Sequence, residues 1–435
     1  MRRCQGRHII FGHSPMDNMK GYLTVLMLSV IFMISTYYHR IPGKEAGPRY
    51  WNISTDTITP LENNKIFVIS AYYDGRESRR VRVLTVIKGE DVTELYCRFY
   101  CLNGSKSVPV KATIEVHSKW FDFHYGPADV ICPMPYCHSH HISIHWSDIE
   151  NTSHIPMFEI KNLQPQPFSA TFTVCISTMF GKQENVLQFI QTMEMYRLLG
   201  AQKVVIYKNG CSKAIGQVLD YYVSEGIVEI VPWPIDKYLR TSDAWYPSMN
   251  PENQIGYYGQ IAALSDCLYR NMYKSRYVTF NDMDEIILPR LHKTWDAMMD
   301  TLEKDYPDTA VYLIENHYYP NTITVPDFET AFPKSVPGIN ILQVIHYEPE
   351  RPNTYNNHKM IVNPRKVIQI SVHSASKTYR PSVDVPNHIV GLHHCRTPVT
   401  PNLPQTSLIK DTTIWKYNSS LITNVNTVLR QLNYH

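Results

Sequence analysis

An acidic triplet, Asp282-Met283-Asp284, follows the apolar run 277–281 and is the only Asp-x-Asp sequence in the chain. In an extended chain side chains repeat every second residue, so the two carboxylates are predicted to leave the backbone on the same side. Such a pair repels itself unless a cation lies between, and oxygen ligands at a strand end suit Mg²⁺ or Mn²⁺ carrying a substrate's phosphates. The triplet therefore predicts a metal site that handles a nucleotide sugar, with a solvated turn after a strand as the alternative.

Alternating strands and helices are predicted upstream of the triplet. The strands are expected at 171–177, 204–207, 227–231 and 277–281, and the helices at 184–199, 215–224 and 258–273. The first helix has apolar residues at helical spacing, and Gly200 is placed to end it. This order predicts a Rossmann-like parallel half-sheet, in which ligands bind at the carboxyl ends of the strands. The acidic triplet falls at such an end.

Residues 63–165 have a different pattern and are interpreted as a small β-rich domain. Strands rich in β-branched and aromatic residues are predicted at 66–73, 81–88, 94–100, 110–117 and 141–146. Disulfides among some of four cysteines are expected to staple this domain: Cys97, Cys101, Cys132 and Cys137. The alternative is a zinc site, whose ligands would be Cys132, Cys137, His138, His140 and His141. That cluster lacks a standard zinc-ligand spacing, which favours disulfides with surface histidines.

The N-terminal segment predicts a membrane anchor. Residues 21–38 carry no charge and are strongly apolar, which is long enough to span a thin bilayer. Basic residues precede this run, so the positive-inside rule predicts a cytosolic tail at 1–20 and a lumenal remainder. A cleaved signal peptide is the alternative, but the run is longer than a usual signal core and no small-x-small site follows. Residues 39–62 are polar with Pro and Gly, and are interpreted as a stem.

Cysteines, sequons and charge agree with that orientation. All of the nine cysteines except Cys4 lie beyond the predicted anchor, and in an oxidising lumen some of them should pair. Asn-x-Ser/Thr sequons for glycosylation all occur on the same side, at Asn52, Asn103, Asn151 and Asn418. The formal net charge is only +3, and no basic stripe interleaved with aromatics appears, which argues against nucleic-acid binding. A 435-residue chain that is 43% hydrophobic can bury a sizeable core in two domains.

Several short runs together resemble glycosyltransferase family 92. They are Ser70-Ala71-Tyr72-Tyr73-Asp74, Glu184-Asn185-Val186-Leu187, Tyr196-Arg197-Leu198-Leu199-Gly200, Gly259-Gln260, Asp266-Cys267-Leu268-Tyr269-Arg270, Asp282-Met283-Asp284-Glu285, Lys359-Met360-Ile361-Val362 and His394-Cys395-Arg396. The resemblance covers most of residues 65–400. It implies a GT-A fold for residues 166–435, in a type II protein of the Golgi membrane. It also implies inverting transfer of a sugar, with galactose favoured, from a UDP-sugar to a glycan or glycoprotein acceptor.

For such a transfer, metal chemistry gives the acidic triplet and a C-terminal histidine their expected roles. Asp284 is expected to bind the divalent cation directly, and Asp282 to hold the ribose or a metal-bound water. His394 is expected to complete the metal shell, with the neighbouring His393 as the competing candidate. Arg396 is expected near the phosphates.

Other residues are expected to contact the nucleotide. Ser177 and Met179 after the first strand, and Asn209 after the second, are placed to touch uridine, with ordinary turn chemistry as the alternative. Aromatic side chains crowd a Pro-rich loop, where they are predicted to stack on uracil or a sugar, or to pack the loop itself: Trp233, Tyr238, Trp245, Tyr246 and Tyr257.

An inverting mechanism needs a carboxylate that deprotonates the acceptor hydroxyl. Four loop carboxylates are candidates, each of which could instead be solvated: Glu315, Asp327, Glu329 and Asp384. The alternative function is a lumenal glycan-binding or scaffold protein that retains the glycosyltransferase fold without catalysis. The intact pair of repelling carboxylates argues against that alternative.

Overall fold

The structure is a computed structural model that describes residues 52–61, 64–92, 94–101, 106–117, 121–148, 155–351 and 354–434. The predicted tail and anchor, and the stem as far as Trp51, lie outside these residues. Within the described residues, no helix is both long and apolar enough to cross a bilayer. Asn52–His435 form one compact unit.

The first sheet contains the strands of the N-terminal part of this unit. They are β1 (Thr59–Pro60), β2 (Ile66–Asp74), β3 (Arg80–Lys88), β4 (Tyr96–Cys101), β5 (Val110–Lys111), β6 (Thr113–Val116), β7 (Tyr125–Pro133), β8 (Ser139–His145) and β9 (Phe158–Lys161). Their order is β5-β4-β8-β9-β2-β3-β7-β6, with β1 added to β2. The predicted β-rich pattern is confirmed, but β7 was not predicted. Gly126, Pro127 and Asp129 are residue types that favour turns, which is why the sequence did not predict this strand. In the structure β7 pairs with β3 along its whole length.

The second sheet places the acidic triplet. Its strands are β10 (Ala170–Met179), β11 (Lys203–Lys208), β12 (Val228–Pro232), β13 (Ser275–Phe280), β14 (Glu285–Pro289), β15 (Val311–Pro320), β17 (His358–Val362), β20 (Ser382–Asp384) and β21 (Val390–Arg396). The path runs β12-β11-β10-β13-β17-β15-β21-β14, with β20 on β15. The pairs β10–β11, β11–β12 and β10–β13 are parallel, so the predicted parallel half-sheet is confirmed. Two small ribbons complete the strands: β16 (His346–Tyr347) with β22 (Ile409–Lys410), and β18 (Val367–Ile370) with β19 (Ala375–Thr378).

The helices of the described residues connect or cover this second sheet. They are α1 (Val186–Leu199), α2 (Lys213–Ser224), α3 (Gln260–Arg270), α4 (Trp295–Asp305) and α5 (Asn418–Gln431). Gly200 ends α1 in the left-handed region at φ 105°, as the sequence predicts. The mixed α/β class is therefore confirmed.

One hydrophobic core is shared by the two sheets. Phe67 and Tyr72 of the first sheet belong to the same buried cluster as Val205 of β11 and Leu268 of α3. The two regions thus pack together within the compact unit, and the predicted domain boundary near residue 165 stays a prediction.

Disulfides account for six of the cysteines. The pairs are Cys97–Cys132, Cys101–Cys137 and Cys175–Cys267. The predicted disulfides of the β-rich region are confirmed, and the zinc alternative is excluded there because its two cysteines have no free thiolate. The third bond joins β10 to α3, the two elements that lead into the site described below.

A buried group of charges lies where the first sheet meets α3. Asp74 is fully buried and accepts from Arg76 Nε at 2.8 Å, and Arg82 Nε lies 3.4 Å from its other oxygen. Burial opposes ionisation of Asp74, but the arginines outweigh it and lower the pKa of Asp74 from 3.8 to about 2.

The stability of the fold is expected to depend on this carboxylate at acid pH. The pKa of Asp74 is lower in the folded protein than in the unfolded chain, so its contribution of about 2 kcal/mol is complete above the unfolded value. That contribution is lost as the pH falls from about 5 towards 2. Urea unfolding measured across this range should show a shallower pH dependence for Asp74→Asn than for the exposed control Asp300→Asn. Equal slopes for the two variants would contradict the assignment.

Candidate active site

The acidic triplet lies in a tight turn between β13 and β14. The Glu285 N–H donates to the Asp282 carbonyl at 3.3 Å, and the Asp282 N–H donates to Glu285 Oε2 at 2.8 Å. The prediction that an extended strand places Asp282 and Asp284 on one side is therefore wrong, because the strand ends at Phe280. The turn nevertheless brings both carboxylates to one cavity.

That cavity has a volume of about 380 Å³ at the carboxyl end of the parallel strands. It is lined by β10, the acidic turn, the end of β21 and the start of α1, with polar side chains from Ser177, Asn185, Asp282, Asp284, His394 and Arg396. Asp282 and Asp284 are 39% and 38% exposed, so both can reach a ligand. The cavity lies at the predicted position, the carboxyl end of the strands in a parallel sheet.

Lys359 supplies a cation between two of the carboxylates. Its Nζ lies 2.8 Å from Asp282 Oδ2 and 2.9 Å from Glu285 Oε2, and its side chain is 3% exposed. Burial disfavours the ammonium, but the two carboxylates outweigh it and raise the pKa of Lys359. Asp282 is thus neutralised by the protein itself. Repulsion between Asp282 and Asp284 is therefore not, by itself, an argument for a metal ion.

His394 joins the second acidic residue of the triplet to the buried Glu285. Its Nε2 lies 3.4 Å from Asp284 Oδ2, and its Nδ1 lies 3.3 Å from Glu285 Oε1. Burial disfavours the imidazolium, but the Asp284 and Glu285 carboxylates outweigh it and raise the pKa of His394. Burial likewise disfavours the Asp284 anion, while His394 holds the pKa of Asp284 below its usual value. The two side chains contact each other at the edge of the cavity.

His393, the competing candidate, points away from the cavity. Its Nε2 donates to the Val344 carbonyl at 3.0 Å, and its ring stacks on Tyr319 at 3.9 Å between centroids. Burial lowers the pKa of His393 to about 4, so this imidazole is neutral. Successive side chains of β21 point to opposite faces of the sheet, so His393 and His394 point in opposite directions. Of the two, His394 is the one that lines the cavity and can reach a metal there.

Glu285 is a functional residue that the sequence reasoning missed. It is 1% exposed, and its carboxylate lies between Lys359 and His394. Burial raises the pKa of Glu285, although Lys359 opposes that shift. The Tyr196 hydroxyl of α1 donates to the Glu285 carbonyl at 2.8 Å, and this hydrogen bond attaches the turn to α1. The available signal was Glu285 itself, the third acidic residue of Asp282-Met283-Asp284-Glu285, at the start of an apolar strand.

The predicted uridine contacts divide into one residue at the cavity and two outside it. Ser177 lines the cavity, and its hydroxyl donates to the Gln260 carbonyl at 3.3 Å. Met179 is fully buried in the hydrophobic core and does not line the cavity. Asn209 instead donates to Asp236 Oδ1 at 2.6 Å, away from the cavity lining. Gln260, which was not predicted, donates to both Ser177 and Asp282 and links the two sides.

One residue of the predicted aromatic loop reaches the cavity. Tyr257 lines it and is stacked on Trp245, with 4.3 Å between ring centroids. Tyr257 and Tyr258 have φ of 44° and 51°, a left-handed conformation that is unusual for bulky residues. Such conformations cluster at ligand sites, where surrounding contacts hold them in place. Trp233 is fully buried.

The four candidate bases lie outside the cavity lining. Asp327 and Glu329 are exposed, and the side chain of Asp384 is 81% exposed. Glu315 on β15 is half-buried and lines a second, smaller groove of about 70 Å³. Its neighbour Asn316 places Nδ2 3.3 Å from His394 Nδ1, so Glu315 is the candidate whose strand adjoins the Asp284–His394 pair.

Two side chains at the cavity have the chemistry to act as ligands for a divalent cation. Asp284 offers a carboxylate oxygen and His394 an imidazole nitrogen, a donor set that suits Mn²⁺. No group of three His, Cys, Asp or Glu residues within the described segments could hold a metal ion. A bound cation would need its remaining ligands from substrate phosphates and water, which is how Mg²⁺ commonly binds in phosphate-handling sites. The residues fit a metal that arrives with its substrate.

Residues 170–425 match the family described as glycosyltransferase family 92. Because this match covers more than half of the chain, the protein belongs to glycosyltransferase family 92. All the cavity-lining residues described above lie within the matched range.

Curated relatives from Caenorhabditis elegans agree with this family. The chain is 25% identical over 245 residues to glycosyltransferase family 92 protein F13G3.3, covering 56% of this chain and 45% of that protein. It is 22% identical over 333 residues to beta-1,4-galactosyltransferase galt-1, covering 66% of this chain and 72% of that protein. The match to F13G3.3 thus spans less than half of that protein's length. A solved cyclomaltodextrinase has a TM-score of 0.16 at 10% identity over 40% of each chain, which supports no structural comparison.

Proposed function

We propose that the protein is a metal-dependent, inverting glycosyltransferase that moves a sugar, with galactose favoured, from a UDP-sugar to a glycan acceptor. The observation that carries this proposal is the Asp284–His394 pair facing a 380 Å³ cavity at the carboxyl ends of a parallel sheet. Family membership supports sugar transfer, and the name of the relative galt-1 supports galactose. The GT-A fold remains part of this proposal.

The side chains around the cavity have different roles in the proposed reaction. Asp284 and His394 would hold the cation, which when bound neutralises the diphosphate as it leaves. Lys359 holds the Asp282 carboxylate in place through their 2.8 Å contact, so that Asp282 would face the ribose, and Arg396 would add positive charge on the phosphate side. Tyr257 offers a ring face to the uracil or the sugar.

The transfer itself is a single displacement. The acceptor oxygen attacks the anomeric carbon from the face opposite the diphosphate, the bond from that carbon to the phosphate oxygen breaks, and UDP leaves. The acceptor proton passes to a carboxylate base. Because the acceptor oxygen itself attacks the anomeric carbon, no covalent sugar–enzyme intermediate forms.

A donor screen tests this function. The purified protein, a glycan mixture and Mn²⁺ are incubated with several UDP-sugars, and released UDP and product are measured. We expect UDP-galactose to give the highest turnover and NMR of the product to show a β-linkage. An α-linked product would exclude inversion, and no transfer from any UDP-sugar would favour the non-catalytic glycan-binding alternative.

Glu315 is expected to be the catalytic base among the four candidates. Glu315→Gln should lower kcat about 10²-fold or more, since general-base catalysis contributes on that order, while the KM for the donor stays unchanged. The exposed controls Asp327→Asn, Glu329→Gln and Asp384→Asn should stay within a few-fold of the parent. Normal turnover in Glu315→Gln would place the base elsewhere.

Membrane anchoring through residues 21–38 and a lumenal, glycosylated catalytic region in the Golgi belong to the same proposal. The charge-free run and the basic residues before it motivate this topology. Digestion of residues beyond 60 by protease in sealed microsomes would contradict it.

A further inference from the structure

A second groove lies beside the proposed donor cavity. It is formed by β15 and by residues 348–351 and 354–356, with lining side chains from Glu315, Tyr318, Glu350, Arg351, Tyr355 and Asn356. The Tyr318 ring lies 5.5 Å from the ring of His394, which lines the cavity. The groove and the cavity are therefore adjacent, and their linings meet at Tyr318 and His394.

The groove is rich in groups that hydrogen-bond to hydroxyls. Glu315 accepts from Asn356 Nδ2 at 3.2 Å and also from Asn387. A hydrogen bond to the Glu315 carboxylate, together with the negative charge of that carboxylate, raises the pKa of Glu350. Arg351 lies over the Tyr318 ring, with 5.7 Å from the guanidinium carbon to the ring centroid.

Two further observations indicate that this groove receives a ligand. Asn316 lines it and is only 4% exposed, yet its Oδ1 has no hydrogen-bond partner among the described residues. An unpaired buried amide oxygen is costly, and a ligand hydroxyl would satisfy it. Tyr355, at the rim of the groove, is 65% exposed and presents an aromatic ring to solvent.

The chemistry favours a neutral, polyhydroxylated ligand. Two carboxyls disfavour a phosphate, so the groove is unsuited to the donor nucleotide. The Arg351 guanidinium lines the groove and disfavours a cation there. Carboxylates and amides can each contact neighbouring hydroxyls of a sugar, and an aromatic ring packs against its apolar face.

We propose that this groove, defined by Glu315, Glu350, Tyr318 and Tyr355, is the acceptor-saccharide subsite. The inference rests on the proposed function, because it takes the neighbouring cavity as the donor site. It deepens that function by giving the acceptor a position on the β15 side of His394.

The test measures saccharide and nucleotide binding separately on the full chain in detergent. The saccharide probes are methyl glycosides of galactose, glucose, mannose and N-acetylglucosamine, and their binding is measured by saturation-transfer NMR. UDP binding is measured by calorimetry. We expect a saturation-transfer signal from at least one glycoside in the parent protein. That signal should be at least five-fold weaker in Tyr355→Ala and in Glu350→Gln. The control Tyr136→Ala, which removes a ring that is 93% exposed in the β-rich region, should retain the signal.

The outcomes distinguish the subsite from the proposed function. Undiminished saturation transfer in both groove variants, or none to any glycoside in the parent protein, would overturn the subsite. A tetralysine peptide that binds in place of the glycosides and depends on Glu350 would also overturn it, in favour of a peptide-docking groove. Unchanged UDP binding in both variants is expected. Absence of UDP binding in the parent protein would instead overturn the proposed donor cavity and leave the glycoside result to be judged by itself.

Discussion

Asp284→Asn is expected to lower turnover about 10³-fold or more while the fold stays intact, because a metal ligand stabilises charge that develops in the transition state. The substitution keeps the side-chain size but removes the anion that faces the cavity. Asp284 is held by its backbone as well, since its carbonyl accepts from the Cys395 N–H at 3.1 Å, so the turn should survive. Turnover is measured with and without chelator, and the free energy of unfolding by urea titration.

Three controls make that result specific. Asp300→Asn changes an exposed carboxylate on α4 and should leave turnover unchanged. Excess chelator should abolish the activity of the parent protein, and added Mn²⁺ should restore it. Mn²⁺ binding measured by calorimetry in the presence of UDP should be lost in Asp284→Asn. Full activity of that variant, or of the parent in chelator, would exclude metal ligation by Asp284.

The sequence predicts the position of the acidic triplet in the fold but not the reason its charges are tolerated. The alternating pattern from residue 171 correctly predicts three parallel pairs, which places Asp282 and Asp284 at a strand end. The local geometry was wrong because Asn281 leaves the strand and the next residues form a turn. Periodicity predicts which face of a strand is buried, but it does not say at which residue the hydrogen-bonded ladder ends.

Long-range strand pairing supplies the rest of the site. His394 is directly opposite Glu285 in the antiparallel pair β14–β21, and Met360 is opposite Phe280 in the pair β13–β17. These registers place His394 and Lys359 around the turn. No local pattern specifies a register between strands that are separated by tens of residues, so sequence reasoning left His393 and His394 as alternatives and missed Lys359.

The same limit applies to the predicted nucleotide contacts. Ser177 and Met179 both follow an apolar run, and both were expected at the ligand. In the structure β10 continues to Met179, whose side chain enters the core, whereas Ser177 lines the cavity. Turn propensity alone could not separate the two, because the difference depends on how far the strand extends.

Lys359→Met is expected to lower the free energy of unfolding by about 3–5 kcal/mol, because removing one partner of a buried ion pair leaves an uncompensated charge. Methionine has a similar shape, so lost packing adds little to this loss. The Asp282 and Glu285 carboxylates, which lie 2.8 and 2.9 Å from the ammonium, would lose the cation between them, and His394 would remain 3.3 Å from Glu285. Turnover should fall as well, since Asp282 would lose its orientation towards the donor. Lys366→Met, which breaks an exposed pair with Asp308, should cost less than about 1 kcal/mol.

A double-mutant cycle separates the charge from the packing. Glu285→Gln removes the fully buried one of the two carboxylates, so the double variant Lys359→Met/Glu285→Gln carries one buried charge fewer than Lys359→Met alone. We therefore expect the double variant to be destabilised by clearly less than the sum of the two single variants, with a coupling of about 1–3 kcal/mol measured by urea unfolding at pH 7. Additive losses would mean that Lys359 stabilises the turn through its packing. In that case neutralisation of Asp282 would have to come from the bound metal, and the stability of the Lys359→Met variant should then rise with added Mn²⁺ and UDP.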